Sequence, residues 1–191
     1  MKKSILKSAV VMVALSGMSF AGVVFDLQQQ HFFNSLKTEV IASKYELPNV
    51  YVTTNLNLKS DTYNYQNRTG GHFHIELKEA LSIWNMTFDL DIWFTNNDSI
   101  TLYDVSGKSF VIAFKDERGG KLYFDNKEVY TANYNIKGSI QLVRNGTEIV
   151  LKINGSDIAT TEGLSFGQLK TVQTKFNSGN DYLHSLIIAS N

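Results

Sequence analysis

Ile140-Gln141-Leu142-Val143-Arg144-Asn145-Gly146-Thr147-Glu148-Ile149-Val150-Leu151-Lys152-Ile153-Asn154-Gly155 is the stretch that decides the fold class. Apolar and polar side chains alternate on both sides of Asn145-Gly146, so Ile149, Leu151 and Ile153 share one face of an extended strand. Asn-Gly between two such runs signals a hairpin, because the tight turn that matches strand twist needs positive φ at both of its residues. Asn154-Gly155 ends the following strand in the same manner. Consecutive strands here are therefore antiparallel neighbours.

The same period of two extends through the chain. Phe88, Leu90, Ile92 and Phe94 alternate with Asp89, Asp91 and Trp93. Further extended runs are expected at 50–58, 72–77, 99–104, 109–115, 120–125, 128–133, 138–144, 156–160, 168–175 and 182–189. Val105-Ser106-Gly107 and Arg118-Gly119-Gly120 break them. A parallel α/β sheet is excluded, since no helical crossovers separate the runs. One helix is expected at the N-terminal side, over about 26–45. Asp26 caps it with Gln29 three residues on, Phe32, Phe33, Leu36, Val40 and Ile41 recur at helical spacing, and Pro48 ends it. The expected fold is all-β and antiparallel, a two-sheet sandwich or a barrel, with one N-terminal helix.

Composition fixes the class of molecule. With 191 residues and 43% hydrophobic content, the chain has enough material for one core. Eighteen basic and 18 acidic residues leave no charge excess that would draw nucleic acid, and the absence of Cys excludes disulfides and thiolate metal sites. Lys2, Lys3 and Lys7 precede the apolar run Ala9–Leu15, and Ser19 and Ala21 are small where a signal peptidase requires it. Residues 1–21 therefore read as a cleaved signal peptide and 22–191 as one exported domain, periplasmic or extracellular, of bacterial type. Loss of those three lysines turns the even charge balance into an excess of three acidic groups.

Over about 86–189 the order of features resembles the concanavalin A-like jelly rolls, in particular their laminin-G-like branch. The resemblance lies in Thr87–Phe94, Phe110–Phe114, Gly120–Phe124, the Ile140–Gly155 hairpin and Asp181–Ile188. Asn135-Ile136-Lys137-Gly138 stands where the family often carries a Trp. Such a resemblance implies a jelly-roll sandwich and the binding of glycans or protein surfaces; related jelly rolls hydrolyse polysaccharides.

Three groups of residues carry candidate chemistry. Period two puts Asp89, Asp91 and Trp93 on the face opposite the apolar row. There an indole can stack on a sugar ring while carboxylates accept its hydroxyl protons. Tyr63 and Tyr65, in the polar segment 59–71 with Asn64, Asn67 and Arg68, have the chemistry of an adaptable recognition loop. His72, His74 and Glu76 line one face of another strand in a metal-compatible pattern, with His184 as a distant partner. Asn97 and Asp98, after Trp93, offer oxygens to calcium, the one cofactor this sequence leaves open.

No Gly-rich phosphate loop and no G-x-S-x-G elbow occur. The leading expectation is an exported non-catalytic module that binds a glycan or a cell-surface partner. The alternatives are an envelope assembly subunit docked through the 26–45 helix, and a polysaccharide hydrolase using Asp89 and Asp91.

Overall fold

The structure, a computed structural model, describes residues 22–27, 43–54, 59–61, 64–67, 71–94, 98–117, 119–161, 165–176 and 181–190. In chain order the strands are β1 (Gly22–Asp26), β2 (Ser43–Glu46), β3 (Val50–Thr54), β4 (Lys59–Asp61), β5 (Asn64–Asn67), β6 (Gly71–Leu81), β7 (Trp84–Trp93) and β8 (Asp98–Asp104). They continue as β9 (Ser109–Lys115), β10 (Lys121–Phe124), β11 (Lys127–Thr131), β12 (Asn135–Asn145), β13 (Glu148–Ile153), β14 (Ser156–Thr161), β15 (Leu169–Phe176) and β16 (Asp181–Ser190).

Two antiparallel sheets of eight strands each result. The first runs β14-β13-β12-β7-β16-β5-β4, with β1 also paired to β16. The second runs β11-β10-β9-β8-β15-β6-β3-β2. Local hairpins build the outer parts of each sheet, whereas the central pairs β7–β16 and β8–β15 join segments far apart in sequence. The inner faces of both sheets contribute to one continuous core. Phe25 of β1 meets Phe73 of β6 across it, ring centroids 6.3 Å apart.

β7 shows why the pattern folds this way. Trp84, Met86, Phe88, Leu90 and Ile92 are all fully buried, while Asp89 and Trp93 are exposed. A slip of one residue would send that apolar row into water, so the pairing register with β12 and β16 is fixed by burial.

The N-terminal helix is where the expected architecture departs from the observed one. Asp26 belongs to β1 and Ser43–Glu46 form β2, so both ends of the expected 26–45 helix are extended; its middle, 28–42, lies outside the described residues, as does segment 1–21. Val23-Val24-Phe25 is a β-branched and aromatic run that finds the free edge of β16, and Phe25 and Leu27 are buried there. The polar segment 59–71 is likewise not one loop: it contains β4, β5 and the first residue of β6.

The turns also refine the expectation. Asn154 and Gly155 both take positive φ, 49° and 83°, as predicted. At the other hairpin Asn145 pairs with Glu148, so the loop is Gly146-Thr147 and only Gly146 has positive φ, at 67°. The turn there is of the kind that needs glycine at its first central position alone. Asp125 and Asn126, at 49° and 63°, form a third tight hairpin between β10 and β11.

β8 carries a carboxylate at each end of its inward-facing row Asp98, Ile100, Leu102, Asp104, all buried. Asp104 Oδ1 accepts from the Ser106 amide at 2.8 Å, the Ser106 hydroxyl at 2.7 Å and the Lys108 amide at 2.9 Å; Oδ2 accepts from the Gly167 amide at 2.7 Å. Arg144 donates to the carbonyls of Phe166, Gly167 and Gly146, closing the same corner. Burial by itself would raise the Asp104 pKa, but the Ser106 hydroxyl and the three amides outweigh it and hold the carboxyl down from 3.8 to about 2.

Two outcomes are expected. The Asp104 carboxylate stabilises the fold fully above about pH 4, and that contribution is lost as pH falls towards 2. Urea midpoints measured from pH 7 to pH 2 should therefore fall more steeply in the wild type than in Asp104→Asn, whose midpoint is lower at neutral pH. Parallel curves would show that the carboxylate is not linked to folding. At Gly120, φ is +92° and an added Cβ would lie 2.3 Å from the Phe94 ring. Gly120→Ala should cost at least about 1–3 kcal/mol in urea unfolding.

Candidate functional site

The outer face of the first sheet is organised by β7 and its two neighbours. On β12, Asn135 stands opposite Trp93, Lys137 opposite Asp91 and Ser139 opposite Asp89. On β16, Tyr182 stands opposite Asp91 and Ser185 opposite Asp89. The register shifts between Leu183 and Ser185, leaving His184 as an extra residue in the strand. Such a bulge re-aims side chains, and Tyr182 and His184 stack with parallel rings, centroids 6.0 Å apart at 5°. The sequence carries a sign of it in Leu183-His184-Ser185-Leu186, where two polar residues separate inward leucines that strict alternation would place an even number apart.

Each candidate on β7 has a distinct environment. Trp93 is 48% exposed, although its amide is fixed by a 3.0 Å hydrogen bond to the carboxylate of Asp181, itself wholly buried. Asp91 Oδ2 lies 3.6 Å from the Lys137 amine. The Lys137 side chain is mostly in solvent, so this pair is weak, about 0–1 kcal/mol, and exchangeable. Asp91 Oδ1 is buried and has no hydrogen-bond donor among the described residues. A carboxylate with one unmet oxygen and one loose ion pair is an under-satisfied acceptor. Asp89 stands exposed on the same face, two residues away along the strand.

The other expected residues fall elsewhere. Tyr63 lies outside the described residues; Tyr65 is on β5 of the same sheet, opposite the inward-facing Leu183 of β16, so its register position belongs to the inner face rather than to that of Asp91. Asn97 lies outside the described residues, while Asp98 is wholly buried at the start of β8, opposite Phe114. His72, His74 and Glu76 sit on β6 in the second sheet. His184, on β16 in the first sheet, cannot join them across the core. Glu76 instead faces the Lys170 amine at 3.9 Å. Among the described residues no three metal-ligating side chains converge.

Two positions escape sequence reasoning. Tyr134, in the β11–β12 connection, is 57% exposed and takes φ of 65°. Its carbonyl accepts from the Phe94 amide at 3.0 Å, which puts it beside Trp93. Tyr182 is recognisable only once β16 is paired to β7. A cleft of about 380 Å³ lined by Val23, Val24, Pro48, Asn49, Lys78 and Glu79 lies at the opposite end of the first sheet, near Ser190.

No known family profile and no curated protein matches the chain. Among solved structures it is similar to the carbohydrate recognition domain of Emp46p in a potassium-bound form, at TM-score 0.48 and 9% identity over 72% of this chain and 87% of that one. It is also similar to a legume lectin-like domain from Entamoeba histolytica, at TM-score 0.45 and 13% identity over 81% and 99% of the two chains. A third is the exoplasmic/lumenal domain of VIP36 bound to Ca2+ and Man3GlcNAc, at TM-score 0.41 and 12% identity over 78% and 83%. At these TM-scores the function of this chain is left to its own residues.

The contrast between the two tryptophans is directly measurable. Trp84 is fully buried and Trp93 is half-exposed. Iodide should quench a large part of the emission of the wild type and of Trp84→Phe, and almost none of that of Trp93→Phe.

Proposed function

We propose that the protein is an exported, non-catalytic glycan-binding module whose contact surface is the outer face of β7. The fold we assign to it is a jelly roll of the concanavalin A-like kind, as the resemblance over 86–189 implies. The observation that carries the reading is the half-exposed Trp93 indole on the same strand face as Asp89 and Asp91. A pyranose has one apolar face and a rim of hydroxyls. Stacking on the indole buries the first, and the carboxylates accept from the second. Charge-assisted hydrogen bonds of this kind are the strong ones.

The charge on the face narrows the ligand. Asp89 and Asp91 are met by one cation, Lys137, so the described part of the site keeps a net negative charge. Neutral and amino sugars fit; uronates and sulfated sugars are repelled. Tyr63 is a further contact we assign, whereas Tyr65 pairs with the inward-facing Leu183 and so holds an inner-face register position. The signal-like segment 1–21 supports delivery to the periplasm or the cell exterior. Calcium enters this reading only through Asn97 and Asp98, and its role is read out by repeating the binding measurement in a chelator.

A printed array of neutral, amino and acidic oligosaccharides tests the proposal. Hits are expected among the neutral and amino glycans, competed by free sugar. Trp93→Ala should weaken them at least tenfold, and Asp89→Asn by about tenfold, the worth of one hydrogen bond to a charged group. Retention that survives Trp93→Ala unchanged would place the ligand elsewhere, and a blank array from folded protein would favour an envelope protein as partner.

A further inference from the structure

Tyr134 occupies a backbone conformation that its residue type does not favour. Its φ of 65° lies in the left-handed region, where glycine and asparagine are tolerated and a bulky aromatic is an outlier. Asparagines stand on both sides of it, at 133 and 135, yet it is the tyrosine that occupies the left-handed position. The conformation is imposed from two directions. The Tyr134 amide donates to the Gly119 carbonyl at 2.6 Å, and its own carbonyl accepts from the Phe94 amide. Beneath it Phe94 is buried, with Gly120 pressed against the ring and Phe114 5.8 Å away.

The side chain is left largely in solvent. At 57% exposure it is the most exposed large apolar side chain among the described residues, and Trp93 is 48% exposed. The two leave the backbone close together, since Tyr134 immediately precedes Asn135, the residue of β12 that pairs with Trp93. They make no ring contact with each other, so each presents a separate aromatic surface. Backbone strain held in place by surrounding structure clusters at binding sites, and here it accompanies an exposed aromatic side chain.

We propose that Tyr134 is a second sugar-stacking residue, so that the site takes a chain of two or more linked pyranoses rather than a single sugar. This inference rests on the glycan reading of Trp93. One aromatic surface holds one ring; the second adds affinity only when a second ring is attached to the first. The experiment separates a sugar chain from a polypeptide as the occupant of this aromatic pair.

The probes are glucose, mannose and N-acetylglucosamine, each as the monosaccharide and as a linear trisaccharide, titrated calorimetrically into the wild type, Tyr134→Gly, Tyr134→Phe and Trp93→Ala. In at least one series the wild type should bind the trisaccharide at least tenfold more tightly than the monosaccharide. Tyr134→Gly should bring the trisaccharide to the monosaccharide level and leave monosaccharide affinity within twofold, while Tyr134→Phe keeps the preference. Glycine suits the left-handed backbone, so the thermal midpoint of Tyr134→Gly should equal or exceed that of the wild type. A loss of equal size for both sugar lengths, or no loss, overturns the role of Tyr134 while leaving Trp93 in place. Failure of the wild type to bind any series, or binding that Trp93→Ala does not weaken, overturns the glycan reading itself and points to a polypeptide partner.

Discussion

The structure depends on the strict alternation of one central strand. β7 lies between β12 and β16, and its inward row from Trp84 to Ile92 is fully buried. Burying such side chains contributes roughly 1.5–3 kcal/mol each relative to exposure, so register errors of one residue are heavily disfavoured. The outward row Asp89, Asp91 and Trp93 inherits that rigidity without contributing to the core. A rigid central strand can hold a recognition surface to within fractions of an ångström, which a loop of the same composition cannot do.

The two ends of the sandwich are closed by different physics. At one end an ionised Asp104 gathers three amides and a hydroxyl, with Arg144 bracing the 165–168 segment beside it. Buried carboxylates persist only when saturated in this way. At the other end Asp181 fixes the Trp93 amide, while Gly120 lets the backbone pass against Phe94 and Tyr134 is held at positive φ. At the first end the Asp104 carboxylate is saturated, although the buried indole nitrogen of Trp84, on the residue paired with Arg144, has no hydrogen-bond partner among the described residues. The second keeps the exposed Trp93 and Tyr134 rings and an unmet carboxylate oxygen on Asp91, the features on which the proposed binding surface rests.

Much of this was legible from residues 50 to 190. Each expected strand there has a counterpart, with residues 55–58 of the first lying outside the described residues, because period-two alternation reports burial of one sheet face directly. The errors fall where that signal is weak. Val23-Val24-Phe25 is too short to show a period, and only the free edge of β16 makes it a strand. Segment 59–71 is polar on both faces, so β4 and β5 are set by pairing rather than by pattern. The Asn145-Gly146 dipeptide marks the hairpin correctly, but the pairing of Asn145 with Glu148 moves the loop by one residue.

By itself the sequence determined the fold class, the central strand and the sharing of one face by Asp89, Asp91 and Trp93, since these follow from local alternation alone. Only the tertiary structure decided which residues meet that face. Lys137, Tyr182 and His184 come from strands some 45 to 95 residues away along the chain, and Tyr134 acquires its meaning from bonds to Gly119 and Phe94. It also put His184 and His74 on different sheets. Local periodicity reports which way a side chain faces; long-range pairing, which selects its neighbours, leaves no mark on either strand's own sequence.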